Sequence, residues 1–265
     1  MENTYLKKIQ KIELDILNEV VKVCEENNIR YQLCGGTLLG AIRHKGFIPW
    51  DDDIDIAMPR KDFDKFLNIA QEKLAKNIEV FSYKSNKVYP FIFAKVCNIE
   101  TRVVENYLKS SGYEVGVFID IFPMDGVPNN RFIREIHLKK INFYEKVLIL
   151  SYLDEDYFEE KWKKIIIKIG HKLVNRNKIH QKIQNLLRKY SFENSRMITT
   201  DIGKKRKEKL MPREVFNDTE VIFENLEFKA PSGYEYYLEC MYGDYMKIPP
   251  EDQRIQHGDY MKIEI

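Results

Sequence analysis

Between Gln32 and Met58 the chain reads QLCGGTLLGAIRHKGFIPWDDDIDIAM, and the fold turns on how this stretch is parsed. Tyr31 to Cys34 is short and apolar enough for a strand. Gly35 and Gly36 then allow positive φ and close backbone approach. Thr37 is placed to cap a short helix, TLLGAIRH, whose N-terminal N–H groups suit an anion. Lys45 to Pro49 leads into a second strand through Asp53 to Ile56. The strand period of two puts Asp51, Asp53 and Asp55 on one face, while Asp52, Ile54 and Ile56 take the other. Three carboxylates at that spacing repel one another unless a cation sits among them. Mg²⁺ takes oxygen ligands and leaves room for water and substrate phosphate. A solvated acidic turn is the plainer alternative, but Phe47, Ile48, Trp50, Ile54 and Ile56 embed the acids in apolar surroundings.

Working outward, Ile9, Ile12, Ile16, Val20 and Val23 recur at helical spacing before Asn27 and Asn28, so a covering helix feeds the first strand. Pro59 suits the first turn of a helix through Phe63, Phe66, Leu67 and Leu74. Strand-like runs follow at Ile78 to Tyr83, Phe91 to Val96, Thr101 to Val104 and Gly116 to Phe122. Within the last of these, Asp120 stands among Val117, Phe118, Ile119, Ile121 and Phe122. A lone carboxylate in such a strand costs several kcal/mol or is forced to neutralise, so it needs a partner, and the aspartate run is the candidate. Helix capping or turn binding near Pro123 is the alternative for Asp120, and Asp125, in the PMDG segment, reads as a turn residue. Beyond Pro128, helical patterns run over Arg131 to Tyr152 and Lys161 to Tyr190. A basic loop, KKRKEK from Lys204 to Lys209, comes next, then alternation at Val221 to Phe228 and a helix from Tyr234 to Tyr242.

The expected class is α+β: a small mixed β-sheet flanked by helices over residues 1–128, and a mainly helical part over 129–265. The segment 212–265 is expected to pack back on the core. With 265 residues, 44% of them hydrophobic, the chain can bury a substantial core. Its 43 basic and 41 acidic residues leave a net +2, so no global charge invites nucleic acid. Cys24, Cys34, Cys97 and Cys240 form no C-x-x-C pair and read as structural thiols in a reducing compartment. The N-terminus shows no signal-peptide pattern and no run of 18 apolar residues follows, so a cytoplasmic protein is expected.

A G-G-T turn, a D-x-D on the next strand and a third Asp on a later one resemble the nucleotidyltransferase superfamily. More narrowly, GGTLLGAIRHKGFIPWDDDIDI (35–56), VFIDIFPMDGVP (117–128) and YLECMYGDYMKIPP (237–250), with Arg254 and His257 downstream, resemble the LicD family, relatives of fukutin and fukutin-related protein. The helical middle from about Arg131 to Met211 adds little to the likeness. No cysteine-rich insertion like that of fukutin-related protein is present, so no structural zinc is implied. The resemblance implies a nucleotidyltransferase-like core. It also implies Mg²⁺, as one or two ions that Mn²⁺ could replace, on Asp51, Asp53, Asp55 and Asp120. A CDP-alcohol such as CDP-choline is the implied donor, and a sugar hydroxyl of a surface glycan (teichoic acid, lipopolysaccharide or capsule) the acceptor.

On that reading Asp53, Asp55 and Asp120 are catalytic, Asp120 as metal ligand or general base. Gly35, Gly36 and Thr37 face phosphate, Arg43 and His44 form a basic pair, and His257 binds phosphate or substrate. If the alcohol is choline, Trp50, Tyr237, Tyr242 and Tyr245 are candidate faces for its quaternary ammonium. Residues 161–192 carry many lysines and arginines and no acid, with apolar residues at helical spacing. They suit an anionic membrane surface, the inner face of the cell membrane, where lipid-linked acceptors reside, or else pack their apolar side on the catalytic part. Two further functions stay open: transfer of NMP to a small-molecule or sugar acceptor, and a non-catalytic membrane-surface adaptor.

Overall fold

The computed structural model describes residues 2–86, 88–200, 210–254 and 261–264. His257 and the KKRKEK loop lie outside them. The helices are α1 (Glu2–Glu26), α2 (Gly35–His44), α3 (Arg60–Lys73), α4 (Arg131–Leu150), α5 (Lys161–Leu173), α6 (Arg176–Leu187) and α7 (Tyr234–Tyr242). The strands are β1 (Gln32–Leu33), β2 (Asp55–Pro59), β3 (Ile78–Phe81), β4 (Ala94–Glu105), β5 (Val115–Gly126), β6 (Met197–Thr199), β7 (Met211–Pro212), β8 (Asp218–Phe223), β9 (Leu226–Pro231) and β10 (Met261–Glu264).

The main sheet runs β1-β2-β5-β4-β10, with β3 beside β4 and β6 and β7 continuing from the far end of β5; β8 and β9 form a separate hairpin. It is mixed: β2 and β5 are parallel, whereas β1 with β2, and β4 with β5, are antiparallel. The chain belongs to the α+β class, with helices flanking a small mixed sheet as the residue patterns predict. The parallel pair needs a crossover, and α3, β3 and β4 supply it.

Local chemistry explains most boundaries. In α1, Ile9, Ile16, Val20 and Val23 are buried as one stripe, and the helix stops where Asn28 adopts φ +51°. Lys45, at φ +61°, ends α2. The two runs read around Phe91 to Val96 and Thr101 to Val104 are one strand, β4, with its register broken between Asn98 and Val103. At that bulge Thr101 Oγ1 donates to the Asn98 carbonyl and accepts from the Val117 N–H, replacing the missing ladder bonds. Pro59 closes β2 rather than opening a helical turn, and α3 begins at Arg60. The long pattern read from Lys161 to Tyr190 divides into α5 and α6, because the Asn175 side chain caps a new helix by accepting from the Lys178 N–H.

Asp125 is not a turn residue. It ends β5 as a 1% exposed carboxylate in a bidentate ion pair with Arg60, at 2.7 Å to both Nε and Nη2. The tertiary contact won because β5 runs on through the Pro123 segment, which carries Asp125 over the start of α3.

Two apolar cores hold the layers together. One joins α1, α2, α3 and β2 with the β8-β9 hairpin and α7. The other joins the bulged half of β4 and β5 to Ile141 and Leu148 of α4 and to Ile183 and Leu187 of α6. The C-terminal hairpin and α7 therefore pack on the N-terminal half: Gln32 Nε2 donates to the Phe216 carbonyl and to Asp218, and Tyr237 is buried beside Gly35. Among the described residues, no helix is long and apolar enough to cross a membrane.

Candidate active site

The site begins with register. Asp55 on β2 pairs with Asp120 on β5, and Asp120 pairs with Lys95 on β4. Directly registered residues point to the same face, so the three side chains form a row across three strands, while Ile56, Ile121 and Ala94 turn to the opposite face and the core. Lys95 Nζ lies 2.9 Å from Asp120 Oδ1 and 3.7 Å from Glu105 Oε1. It also sits 3.3 Å from the centroid of the Phe118 ring. Tyr107 donates its hydroxyl to the other oxygen of Glu105. Burial pulls Lys95 down, yet the two carboxylates outweigh it and hold the ammonium above its ordinary range.

The aspartates before β2 are not strand residues. The ladder begins only at Asp55, so alternation cannot set the directions of Asp51 and Asp53. A turn in which the Asp51 N–H donates to the Ile48 carbonyl precedes them, and Gln10 of α1 donates to the Asp51 carbonyl. Close packing on the two glycines brings the acids in instead. A Cβ on Gly35 would stand 2.4 Å from Asp55 Oδ2, and one on Gly36 would stand 2.7 Å from Asp51 Oδ2. The pair is Gly-Gly because two carboxylates occupy the space that side chains would fill.

Both glycines belong to the first turn of α2, whose N-cap is Cys34, and Cys34 supplies no side-chain cap. Thr37 does not cap the helix either: its Oγ1 accepts from the Asp55 N–H at 2.8 Å, tying α2 to the start of β2. The Gly35 N–H donates to the Tyr237 hydroxyl at 3.1 Å. A helix N-terminus thus abuts a row of acids, the combination a phosphate and a cation use together.

Gly35 adopts φ +56°, so Gly35→Ala meets two obstacles at once. The left-handed conformation costs an alanine about 1–2 kcal/mol, and the methyl would displace the Asp55 carboxylate. The variant is expected to fold with a melting temperature lower by roughly 2–8 °C, and to lose about a hundredfold in kcat, the scale of a misplaced reacting group. Wild-type kcat in a folded Gly35→Ala protein would contradict this packing.

Electrostatics sets the protonation of these acids. Burial drives the Asp55 carboxyl well above its ordinary value, and Asp53, Asp120 and Asp51 push it further than Lys95 can restore. Glu13 on α1, 2% exposed, is raised well above normal by burial first and then by Asp53, Asp52, Asp51 and Asp55. Burial lifts Asp120 to about 6 against the pull of Lys95, with Asp53 and Glu105 adding to the rise. Each raised carboxyl keeps a proton that the unfolded chain would release. Its contribution to stability is therefore complete below the ordinary carboxylate pKa, about 4, and is lost as pH rises through the folded value. In EDTA the melting temperature should fall from pH 5 to pH 8 by roughly 5 °C or more, measured by differential scanning fluorimetry. A flat or rising curve would contradict the repulsion.

The donor set fits Mg²⁺ in a limited sense. All the candidate ligands are hard carboxylate oxygens, and their repulsion calls for a cation. Among the described residues, however, no group of three or more His, Cys, Asp or Glu side chains is arranged to hold a metal ion unaided. Mg²⁺ in phosphate sites takes one or two carboxylates and completes its shell with water and substrate phosphate.

The remaining candidates are distributed around this row. Arg43 donates to the Tyr245 carbonyl at 2.7 Å and, through Nε, to His44 Nε2 at 2.9 Å. Burial and the Arg43 charge both lower His44, so the pair carries one cation at neutral pH, with His44 as acceptor. Tyr242 is partly exposed, and burial of its hydroxyl next to Asp55, Asp51 and Asp53 raises that group. Tyr237 is a core ring that supports Gly35. Trp50 already carries a cation, the Arg254 guanidinium at 4.5 Å, while His44 meets its edge. Tyr245 contributes its backbone carbonyl to Arg43.

Residue patterning overlooked Lys95, Glu105 and Glu13. A signal for Lys95 existed: a cation inside FIFAKVC is as costly as Asp120 inside VFIDIF, and the two costs cancel only if the residues meet.

Comparison with known proteins places the chain among relatives. Residues 28–148 match a family model described as LicD/FKTN/FKRP, nucleotidyltransferase domain. Lipopolysaccharide cholinephosphotransferase LicD of Haemophilus influenzae is 33% identical over 268 residues, spanning 97% of this chain and 97% of that protein. The ribitol 5-phosphate transferases FKRP of Homo sapiens and Mus musculus are each 51% identical over 43 residues, 16% of this chain and 9% of theirs.

Proposed function

This chain belongs to the LicD family, and on that premise we propose that it is a metal-dependent transferase of phospho-alcohols. It moves phosphocholine, or a related phospho-alcohol, from a CDP-alcohol to a sugar hydroxyl of a cell-surface glycan precursor and releases CMP. The observation that carries this reading is the Asp55–Asp120 register beside the N-terminus of α2, which gathers acids and anion-binding amides at one place. The cholinephosphotransferase named among the relatives spans nearly the same length as this chain, which supports choline as the first alcohol to test. Ethanolamine, glycerol and ribitol are the others.

Each part has a role on this reading. The amides opening α2 receive the donor diphosphate, and Arg43 offsets its charge. Asp55, with one of Asp51, Asp53 and Asp120, would hold Mg²⁺, which would supply charge neutralisation on the diphosphate as the acceptor oxygen attacks in line. The new bond joins the sugar oxygen to the phosphorus bearing the alcohol. The bond from that phosphorus to the bridging oxygen breaks, and the electron pair leaves with CMP. The hydroxyl proton passes to a carboxylate, for which Asp120, pushed up to about 6, is suited, while Lys95 orients it. Residues 1–128 form the catalytic part, and 129–265 the side facing the acceptor.

Product analysis tests the proposal. The protein is incubated with CDP-choline, Mg²⁺ and a glycan acceptor, and the products are resolved by mass spectrometry. CMP together with a phosphocholine-bearing glycan is the expected result. A nucleotidylated acceptor would establish the other chemistry, NMP transfer, and overturn this one.

A further inference from the structure

We propose that α5 is an interfacial helix that docks this protein on an anionic lipid bilayer. The helix reads KWKKIIIKIGHKL from Lys161 to Leu173, and the structure decides which way its apolar residues face. Ile167 and Gly170 turn inward, Gly170 lying against Leu150 of α4. Trp162, Ile165, Ile166, Ile169 and Leu173 turn outward, with Trp162 61% and Leu173 74% exposed. At 100° per residue these five fall in an arc of about 100°, a continuous stripe along the helix. A helix that merely covered the catalytic part would show the reverse, its oily arc inward and its polar arc in water.

Charge selects the occupant. The helix holds five lysines and no acid, and Lys161, Lys168 and Lys172 flank one edge of the stripe while Lys163 borders the other. Lys163, Lys164 and Lys168 reach Glu160, Asp156 and Glu155, but these are surface pairs that water and lipid phosphate compete for. Nearby, an open groove between α4 and α6 repeats the composition: Ile136, Phe143 and Leu186 with Lys139, Lys140 and Lys182, and no acid in its lining. Apolar residues exposed between lysines match a surface whose interior is hydrocarbon and whose headgroups are anionic; the lysine stems lie along the stripe and carry their charges to the phosphates. A second copy of the chain would bring lysines against lysines. Thirteen residues cannot span a bilayer, so the helix lies in its plane.

The test uses the full-length protein with extruded vesicles, either phosphatidylcholine alone or phosphatidylcholine with 30 mol% phosphatidylglycerol, a composition chosen at about the anionic content at which basic helices bind. Sedimentation with the anionic vesicles is expected, at least tenfold above the neutral ones, and emission from Trp162 should shift to the blue, a shift absent from Trp162→Phe. The double variant Ile165→Asn/Ile169→Asn should lose at least tenfold in binding while keeping its melting temperature and its turnover of a water-soluble acceptor, because neither side chain touches the core or the acids. No binding to anionic vesicles, unchanged binding by the double variant, or light scattering that reports a dimer dissolved by the same substitutions would each overturn the proposal.

Discussion

Asp55→Asn is expected to abolish transfer and to stabilise the metal-free protein. Asp55 heads β2, lies against Gly35 and stands in register with Asp120, and it is more buried than Asp51, Asp53 or Asp120. Its replacement by an isosteric amide keeps both backbone hydrogen bonds at this junction, from the Asp55 N–H to Thr37 Oγ1 and from the Cys34 N–H to the Asp55 carbonyl. The amide removes a buried charge that Asp53, Asp120 and Asp51 repel. Loss of one ligand to a transition state carrying phosphoryl charge should cost about a thousandfold or more in kcat, some 4 kcal/mol of barrier. Relief of the repulsion should raise the melting temperature in EDTA at pH 8 by roughly 2–4 °C, the shift expected from about 1 kcal/mol in a chain of this size. Thermal stability and turnover would thus move in opposite directions. A merely structural acid would show both falling together, and a membrane adaptor without catalysis would have no turnover to lose.

Lys95→Met should be the most damaging single substitution for the fold. Lys95 is 3% exposed and compensates two carboxylates, the buried Glu105 and the half-buried Asp120. Methionine retains most of the volume and the contact with Phe118 but leaves both acids without their cation. Removing one partner from a buried ion pair costs about 3–5 kcal/mol, so roughly 6–20 °C in melting temperature is at stake at pH 8. Adding Glu105→Gln should return part of that loss, since one of the two stranded charges disappears. Circular dichroism melts of the two variants decide the matter. A Lys95→Met protein that melts within 2 °C of wild type would show that the network contributes nothing to folding.

Several features are legible in the sequence. The stripe of Ile9, Ile16, Val20 and Val23 predicts α1, and the apolar run around Asp120 predicts β5, because helical and strand periodicities are local and each residue carries its own share of the signal. Gly35 and Gly36 announced a close approach, though of what could not be read. The sequence pattern suggested a phosphate, whereas the immediate neighbours are the carboxylates of Asp55 and Asp51. The alternation assigned to Asp51, Asp53 and Asp55 failed for a local reason: the turn after Ile48 keeps the chain out of the ladder until Asp55.

By itself, then, the sequence determined the α+β class and the place of α2 after the glycine pair, both of which follow from neighbours within a few residues. Only the tertiary structure decided that Lys95 stands beside Asp120, that Asp125 closes on Arg60, and that α5 turns Ile165, Ile166 and Ile169 outward. Strand register and helix rotation are chosen by contacts between residues far apart in the chain, and a linear pattern contains the cost of a buried charge or an exposed isoleucine without saying which partner answers it.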